Sequence, residues 1–486
     1  MRRFSALLIA ALAWLACGPV FAAAVYIPYQ PDKLQGVADK TGMIGGFPGT
    51  QISSGSTSTT FRHHVHISTL TGAYNPQLVY SCSYIVNAGE DSACPNAMTI
   101  KAVLAYNGVN YPVSIGGSTT SYSLGTGATV ISDPIGVTIP AGADVYICTY
   151  VTVASGGWPQ GRALASATGG EGSSGTNGAD DTGACAAGTG MTTGGYSFGP
   201  MALVGHPLIR GQKSIGLVGD SICAGSGDAY NTATGVAGYL ERALGNSTAV
   251  LTSCRSSDQI NFFLAHSTWR LSHFPQYITS VIDEMGTNDI FTHGDSAGTV
   301  ETNLTSLWTE FTARGVAAFQ TTLMPRTTST DLWTTAANQT PAAAESVRTT
   351  VNDWIRTSPA PLTGYFEAAN LVEVNSSGTL TQDGGRWNTA GAFTITGNTH
   401  TSTTIDNLST TSGLVAGMPV NCSGCASGTQ ISSINTGASS MVVSIATTST
   451  LTGTNLAINP PTYDGIHPSM AMTPTLAGAI TISKLQ

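Results

Sequence analysis

Three short polar segments in the C-terminal half of the chain carry the residue types that acyl transfer requires. Ser221 follows the apolar run "SIGLVGD", and a serine hydroxyl becomes a nucleophile only when an oriented base takes its proton. In "YDGIHPS" Asp464 stands three residues before His467, so its carboxylate can fold back onto Nδ1 while Nε2 faces a serine. These residues form a candidate Ser221–His467–Asp464 triad, although a lone Gly-Asp-Ser is more often only the polar start of a turn.

Acyl transfer also needs hydrogen-bond donors for the developing oxyanion. Asn288 lies in "EMGTNDIF", directly after another apolar run, and its side-chain amide can supply one N–H. The backbone N–H of Ser221 is a second candidate. Each segment alone is typical of a turn or a polar loop, but together they follow predicted strands or lie in the last loop of one region, which favours a shared site.

With these residues in place, the chain resembles the SGNH hydrolases, the GDSL-type serine esterase and acylhydrolase family. The matching blocks are Gly219–Ile222, Gly286–Asp289 and Asp464–Pro468, and the resemblance covers roughly residues 211–390 and 461–486. It implies that Ser221 is the nucleophile, His467 the general base and then acid, and Asp464 the orienting carboxylate. It also implies Asn288 in the oxyanion hole and no metal or organic cofactor.

The second block of the family pattern is altered. The family usually has a glycine after the second strand, whereas "VLTSCRSSDQI" has none, so the resemblance leaves Ser257, or alternatively Ser256, as the backbone donor. A disulfide between Cys223 and Cys254 could hold the two backbone donors in place. Cys223 as a nucleophile is the weaker alternative, because an exported cysteine with a plausible partner is more often oxidised.

The cysteine count favours disulfides. Without Cys17 the chain has an even number of cysteines, and we expect neighbours in sequence to pair. The Cys422-Ser-Gly-Cys425 motif also fits a redox or zinc site, but a small loop clip is favoured because no second Cys or His pair lies near it. The disulfide candidates are Cys82, Cys94, Cys148, Cys185, Cys223, Cys254, Cys422 and Cys425.

The predicted secondary structure that must position these residues changes along the chain. Residues 25–210 read as short strands with frequent turn signals, typical of an all-β sandwich or jelly-roll accessory domain. Residues 211–391 alternate apolar strands with helical patterns, which predicts an α/β fold with a parallel sheet between two helical layers. Residues 392–459 read as a small β-module inserted into this domain, which resumes at 460–486. The resemblance implies that the three-layer sheet is flavodoxin-like.

Residues 1–22 have the pattern of a signal peptide, with two arginines, an apolar run and a small-residue cleavage site. Lipid anchoring at Cys17 is the minor alternative. No later segment is long and apolar enough to span a bilayer, so we expect a protein secreted to the periplasm or the medium. The formal net charge is −9, and it becomes −11 when Arg2 and Arg3 are removed, which argues against nucleic acid or anionic lipid as a partner.

Weaker candidates remain. Arg326, Asp331 and Trp333 follow a predicted strand and are candidate substrate contacts, with plain packing an equal alternative for Trp333 and for Trp387. His64 and His66 share a strand face, but no third metal ligand is evident in the sequence, so a solvated strand face is favoured.

Together these patterns predict a secreted serine ester hydrolase that works through an acyl-enzyme and removes acetyl or other short acyl groups from carbohydrate, such as an acylated polysaccharide. One alternative is a lipase or carboxylesterase for short-chain or polymeric esters. Another is a non-catalytic surface-binding protein on an SGNH scaffold.

Overall fold

The strand that leads to Ser221 belongs to a parallel sheet in the computed structural model. Ser214–Gly219 is buried throughout, as is usual for a strand covered on both faces. The sheet has five strands, all parallel, in the spatial order Ala249–Cys254, Ser214–Gly219, Ser280–Asp283, Ala317–Thr321 and Gly364–Phe366. This order places the second strand of the chain outside the first, which is the flavodoxin-like order.

Helices cover both faces of the parallel sheet. Because side chains alternate along a strand, Ile215 and Leu217 pack with Tyr239 and Leu476 on one face, whereas Val218 packs with Phe263 on the other. The α-helices are Tyr239–Leu244, Ile260–His266, Thr268–His273, Ala297–Thr312, Glu345–Arg356, Ala369–Val372, Thr473–Ala477 and Ile482–Leu485. Thr182–Ala184 and Phe274–Tyr277 are 3₁₀-helices, and Asp289–His293 is a π-helical turn.

Two antiparallel sheets precede this unit and share one core, in which Leu78 and Leu203 of the first sheet meet Val65, Leu104 and Ile147 of the second. The first sheet has strands Gln35–Gly36, Ala202–His206, Ala73–Ser81, Thr129–Ile131 and Thr138–Ile139. The second has Gly172–Ser173, Ser58–His66, Asp144–Val153, Met98–Tyr106, Val109–Val113 and Tyr122–Leu124. An all-β N-terminal region is therefore present, as predicted.

The first antiparallel sheet packs directly on the α/β unit. Val79 and Val204 belong to the same apolar cluster as Phe274 and Ile278, which lie beside the parallel sheet. The backbone N–H of Val250 also donates to the carbonyl of Ala38 at 3.0 Å. Residues Leu34–Gln486 accordingly form one compact unit.

A third antiparallel sheet occupies the segment that the sequence pattern marks as an insertion. Its six strands lie in the order Val420–Cys422, Leu451–Ile458, Phe393–Thr399, Thr404–Asp406, Ser440–Val443 and Ile431–Asn435. Four two-stranded pairs complete the strands: Gln51–Ile52 with Pro159–Gln160, Ser83–Ile85 with Asp91–Ala93, Thr327–Ser329 with Gln339–Pro341, and Glu373–Val374 with Arg386–Trp387.

The structure describes residues 33–39, 51–52, 55–86, 90–155, 157–161, 164, 170–192, 194–228 and 236–485. The predicted signal peptide, Cys17 and the first residues of the predicted β-domain lie outside these ranges. Within them, no helix has the length and apolar character needed to cross a bilayer. The cysteines pair as Cys82–Cys94, Cys148–Cys185, Cys223–Cys254 and Cys422–Cys425.

Candidate active site

The structure brings Ser221, His467 and Asp464 into one hydrogen-bonded chain. His467 Nε2 lies 2.7 Å from Ser221 Oγ, and its Nδ1 lies 2.6 Å from Asp464 Oδ2. Ser221 follows the end of the strand Ser214–Gly219, where ligands of open parallel sheets bind. In this arrangement the imidazole can take the serine proton while the carboxylate fixes the ring.

The loop that carries His467 turns sharply at Gly465, where φ is +82°. A Cβ at this position would collide with the Thr327 carbonyl and the Trp333 indole, so only glycine fits. The Gly465 carbonyl accepts from the Thr327 N–H and from Trp387 Nε1, both at 3.0 Å. The buried rings of Trp333 and Trp387 therefore pack against this loop at Gly465 and support it.

Asp464 is held in its ionised form. Its Oδ1 accepts from the backbone N–H groups of Ile466 and His467, both at 2.9 Å. Partial burial opposes ionisation, but the hydrogen bonds and charge of His467 outweigh it and lower the pKa of Asp464 to about 2. The carboxylate is thus available to balance an imidazolium at any ordinary pH.

The backbone N–H groups of Ser221 and Ser257 have no protein acceptor in the described ranges. Ser257 is exposed and has φ +66°, a left-handed conformation that favours glycine. It thus adopts a glycine-like backbone at the position where the family pattern has glycine. Ser256, the alternative donor, does not have a positive φ.

The carboxamide of Asn288 is anchored between the two loops. Its Nδ2 donates to Asp220 Oδ2 at 3.2 Å and to the Asp258 carbonyl at 3.1 Å. Both amide hydrogens therefore have acceptors, and an oxyanion would have to share or replace one of them. The anchoring fixes the direction of the amide before substrate arrives.

The disulfide Cys223–Cys254 joins the two segments that carry the backbone donors. Cys254 ends the strand next to Ser214–Gly219 and lies beside Gly219 in register. From there the Arg255 N–H donates to the Gly219 carbonyl at 2.9 Å. Cys223 is oxidised, so its thiol is not available as the alternative nucleophile.

A buried carboxyl pair, Asp220 and Glu284, lies next to Ser221. Asp220 and Glu284 are hydrogen-bonded, and Glu284 also accepts from the Cys223 N–H at 3.2 Å. Burial first, and then the neighbouring Asp220 charge, raises the pKa of Glu284 well above its usual value. Glu284 therefore stays protonated, and its O–H donates a hydrogen bond to Asp220. Sequence reasoning missed this role, although Glu284 directly follows a buried strand.

The remaining predicted contacts lie in the loop after the fourth strand of the parallel sheet. Arg326 is half-buried, with its guanidinium carbon 5.5 Å from the centre of the Phe291 ring. Asp331 accepts hydrogen bonds from Ser329, Thr335 and Asn338 within its own loop. Trp333 is 9% exposed and donates to Thr327 Oγ1 at 2.9 Å, which favours the packing alternative for this side chain.

The inserted sheet also contacts the loop that carries Asp464 and His467, which the sequence did not reveal. Asn421 Nδ2 donates to the Tyr463 carbonyl at 2.9 Å, and the Tyr463 hydroxyl donates to the Thr429 carbonyl at the same distance. Gly227, six residues after Ser221, packs against His467 so closely that a Cβ there would lie 2.9 Å from the His467 Cβ. The loop is thus held from both sides.

A serine–histidine–aspartate chain at the carboxyl end of a flavodoxin-like sheet is the arrangement that the resemblance to the SGNH hydrolases predicted. Residues 217–393 match the model of the GDSL-like lipase/acylhydrolase family. This part of the chain is a GDSL-like lipase/acylhydrolase domain, as the sequence motifs predicted, and it is an esterase domain of this type. No curated protein matches the sequence.

Several solved structures resemble the chain at low identity. A family two carbohydrate esterase from Clostridium thermocellum, in complex with cellohexaose, shares 13% identity over 65% of this chain and 83% of its own, with a TM-score of 0.26. An acetylxylan esterase from Geobacillus stearothermophilus shares 16% identity over 34% of this chain and 79% of its own, with a TM-score of 0.25. A Bacillus subtilis protein shares 11% over 54% of this chain and only 57% of its own, with a TM-score of 0.22. Such low values say nothing about the substrate of this chain.

Proposed function

We propose that this esterase uses Ser221 as its nucleophile, His467 as general base and acid, and Asp464 as the orienting carboxylate. The observation that carries the proposal is the pair of short hydrogen bonds at His467, 2.7 Å to Ser221 Oγ and 2.6 Å to Asp464 Oδ2. Both fall within the distance that proton transfer requires.

In the proposed reaction, Ser221 Oγ attacks the ester carbonyl as its proton passes to His467 Nε2. The oxyanion accepts hydrogen bonds from the N–H groups of Ser221 and Ser257 and from the Asn288 amide. Collapse of the intermediate breaks the bond to the alcohol, which takes the proton from His467 and leaves the acyl-enzyme. Water then gives a proton to His467 and attacks the acyl carbon. The bond to Ser221 Oγ breaks, Oγ takes that proton from His467, and the acid is released.

Asp220 supports the charge that appears on His467 during each transfer. Burial raises the pKa of Asp220 to about 6, while hydrogen bonds from the Ile222 N–H and Glu284 and the charge of His467 favour its ionised form, so above that pH its charge interacts favourably with the imidazolium. The imidazolium thus has two carboxylates nearby, of which only Asp464 is hydrogen-bonded to it.

We propose short acyl groups, acetyl above all, carried on carbohydrate as the substrate. Long acyl chains need a large apolar surface. Among the described residues, no exposed large apolar side chain lies in residues 219–228, 254–260, 284–294 or 462–470. The carbohydrate part rests on the arrangement of the chain, an antiparallel β-region joined to an esterase domain, and a short-chain carboxylesterase is the nearest alternative.

The proposal extends to export and domain limits. Disulfides form in oxidising compartments, and the four bonds support secretion after cleavage near residue 22. We assign residues 25–210 to a β-sandwich accessory domain, 211–391 and 460–486 to the hydrolase domain, and 392–459 to an inserted module. The separate apolar core of the inserted sheet supports the last of these limits.

The test of the catalytic assignment compares wild type, Ser221→Ala and the surface control Ser306→Ala on an aryl acetate. We expect Ser221→Ala to lower kcat/KM by at least about 10³-fold. Ser306 lies exposed on the helix Ala297–Thr312, so its variant should match wild type. Equal rates for Ser221→Ala and wild type would refute the assignment and favour a non-catalytic binding protein.

The test of the substrate is a series of aryl esters from acetyl to palmitoyl, run beside acetylated xylan. We expect kcat/KM to fall with acyl length and acetate to be released from the polysaccharide. A preference for palmitoyl would instead favour the lipase alternative. Aryl acetate hydrolysis without release from xylan would favour a carboxylesterase for small esters.

A further inference from the structure

Two histidines and an aspartate meet on the second antiparallel sheet. His64 and His66 lie on the same face of the strand Ser58–His66, and Asp144 on the neighbouring strand is paired with His66 in register. Asp144 Oδ1 lies 2.9 Å from His64 Nε2 and 3.1 Å from His66 Nε2. One ligand atom of each residue thus lies within 4.8 Å of the others.

A second carboxylate orients one of the two rings. Asp39 is 3% exposed, and its Oδ2 lies 3.0 Å from His66 Nδ1. Its Oδ1 accepts from the His66 backbone N–H at 2.7 Å. A carboxylate on Nδ1 keeps the proton there and leaves the Nε2 lone pair for a metal, as in carboxylate–histidine–metal triads.

The other ring is held by stacking. His64 lies parallel to Tyr146, with 4.6 Å between ring centres and 18° between planes. The His64 side chain is only 11% exposed and that of His66 17%, whereas that of Asp144 is 62% exposed. The group therefore has a fixed inner side and an outer side open to water, next to a surface hollow of about 420 Å³ that Asp144 and Tyr146 line.

We propose that His64 Nε2, His66 Nε2 and Asp144 Oδ1 bind a zinc ion. Two imidazoles and one carboxylate suit Zn²⁺, whereas Mg²⁺ and Ca²⁺ prefer sites made of oxygen alone. Water completes the coordination on the exposed side. The interpretation of this face as solvated rested on the lack of a third ligand, and pairing with the neighbouring strand supplies it.

The site ties together parts of the N-terminal region, and its role is structural. Zinc would join the strands Ser58–His66 and Asp144–Val153, and through Asp39 it would brace the segment whose Ala38 carbonyl accepts from Val250 of the parallel sheet. Zinc therefore raises the thermal stability of the folded protein. The reaction at Ser221 does not require it, so this proposal is independent of the proposed function.

The experiment uses the full chain without a histidine tag, stripped with EDTA and titrated with ZnCl₂ by calorimetry and by thermal unfolding. We expect one Zn²⁺ per chain and a higher Tm. His64→Gln and Asp144→Asn should each weaken Zn²⁺ binding by at least about tenfold. Asp144→Asn suits the test because its exposed side chain can be changed without disturbing a core.

The matched control is His400→Gln, which removes a histidine paired with one aspartate, Asp406, at 3.1 Å. It should bind Zn²⁺ as wild type does. Aryl acetate hydrolysis serves as a check that each variant is folded. The absence of saturable Zn²⁺ binding by wild type would overturn the proposal, and so would equal affinity in wild type, His64→Gln and Asp144→Asn.

Discussion

In the proposed oxyanion hole, Ser257 takes the position where the family pattern has glycine. The donor is the backbone N–H, which every residue except proline has, so the requirement is a conformation and not a side chain. The φ of +66° meets that requirement in a non-glycine residue. The exposed side chain points into no core, and a serine is tolerated there at a conformational cost.

Substitutions at Ser257 distinguish its backbone N–H from its side-chain hydroxyl as the proposed oxyanion donor. Ser257→Gly and Ser257→Ala both keep the N–H, so we expect kcat/KM to stay within about twofold of wild type. Ser257→Gly should also raise the free energy of unfolding by up to about 1 kcal/mol, because glycine adopts positive φ without strain. Aryl acetate kinetics and urea unfolding measure the two effects. A loss of about 10²-fold in both variants would show that the hydroxyl is the donor instead.

Elements are joined near the site by bonds that the parallel sheet alone does not provide. The disulfide Cys223–Cys254 links the turn after one strand to the end of the next, and its cysteines are 31 positions apart in sequence. The helix Thr268–His273 is linked to the N-terminal region through Arg270, which is fully buried and lies 2.8 Å from both Asp91 and Asp258. Asp258 follows Ser257, so this ion network supports the loop that carries Ser257.

Removal of the disulfide Cys223–Cys254 should affect both stability and catalysis. For Cys223→Ser/Cys254→Ser we expect a loss of about 3–4 kcal/mol in the free energy of unfolding, from the entropy of the opened loop. We also expect a lower kcat, since the two backbone donors lose their tether. Cys148→Ser/Cys185→Ser is the control, because its separation of 37 residues predicts a similar loss of stability without an effect on kcat. Equal kcat in both double variants would contradict the tether.

The ion network is testable at Asp91. Asp91→Ala leaves a buried guanidinium with one carboxylate, which should cost about 3–5 kcal/mol in urea unfolding. Glu310→Ala is the comparison, because its pair with Arg314 is 40–41% exposed and should be worth about 1 kcal/mol or less. If the two variants lose similar stability, the buried network does not support the fold as described.

The molecule as a whole buries several carboxyl groups beneath the active site. Burial raises the pKa of Asp283 to about 8 and that of Asp289 to about 7. In the unfolded chain both should titrate near their ordinary value of about 4. The folded state therefore binds more protons than the unfolded state between these values, which makes stability depend on pH.

The direction of this dependence follows from the raised pKa values. The free energy of unfolding should fall as pH rises from about 4 towards 8, by about 1.4 kcal/mol per pH unit for each carboxyl that stays protonated only in the folded state. Asp464, with its lowered pKa, contributes the opposite trend only below about pH 4. Urea unfolding at pH 5 and pH 7.5 measures the difference. Stability that is constant or higher at pH 7.5 would show that these groups ionise freely in the folded protein.

The sequence by itself determined the elements and motifs that depend on neighbours along the chain. The alternation of strands and helices over residues 211–391 follows from local apolar patterns and agrees with the structure, from the strand Ser214–Gly219 to the helix Glu345–Arg356. The adjacent helices Ile260–His266 and Thr268–His273 were missed because each is too short to show a clear period. The strand Gly364–Phe366 was missed for the same reason, since it has only three residues.

Only the tertiary structure decided the contacts between residues far apart in sequence. Ser221 and His467 are 246 residues apart, and their hydrogen bond depends on the sheet, the Gly465 turn and the two tryptophans beneath it. Asp144 joins His64 and His66 only because two strands pair in one register. Sequence patterns record the propensity and spacing of neighbours, whereas the meeting of distant side chains is fixed by packing and strand register, which no local pattern contains.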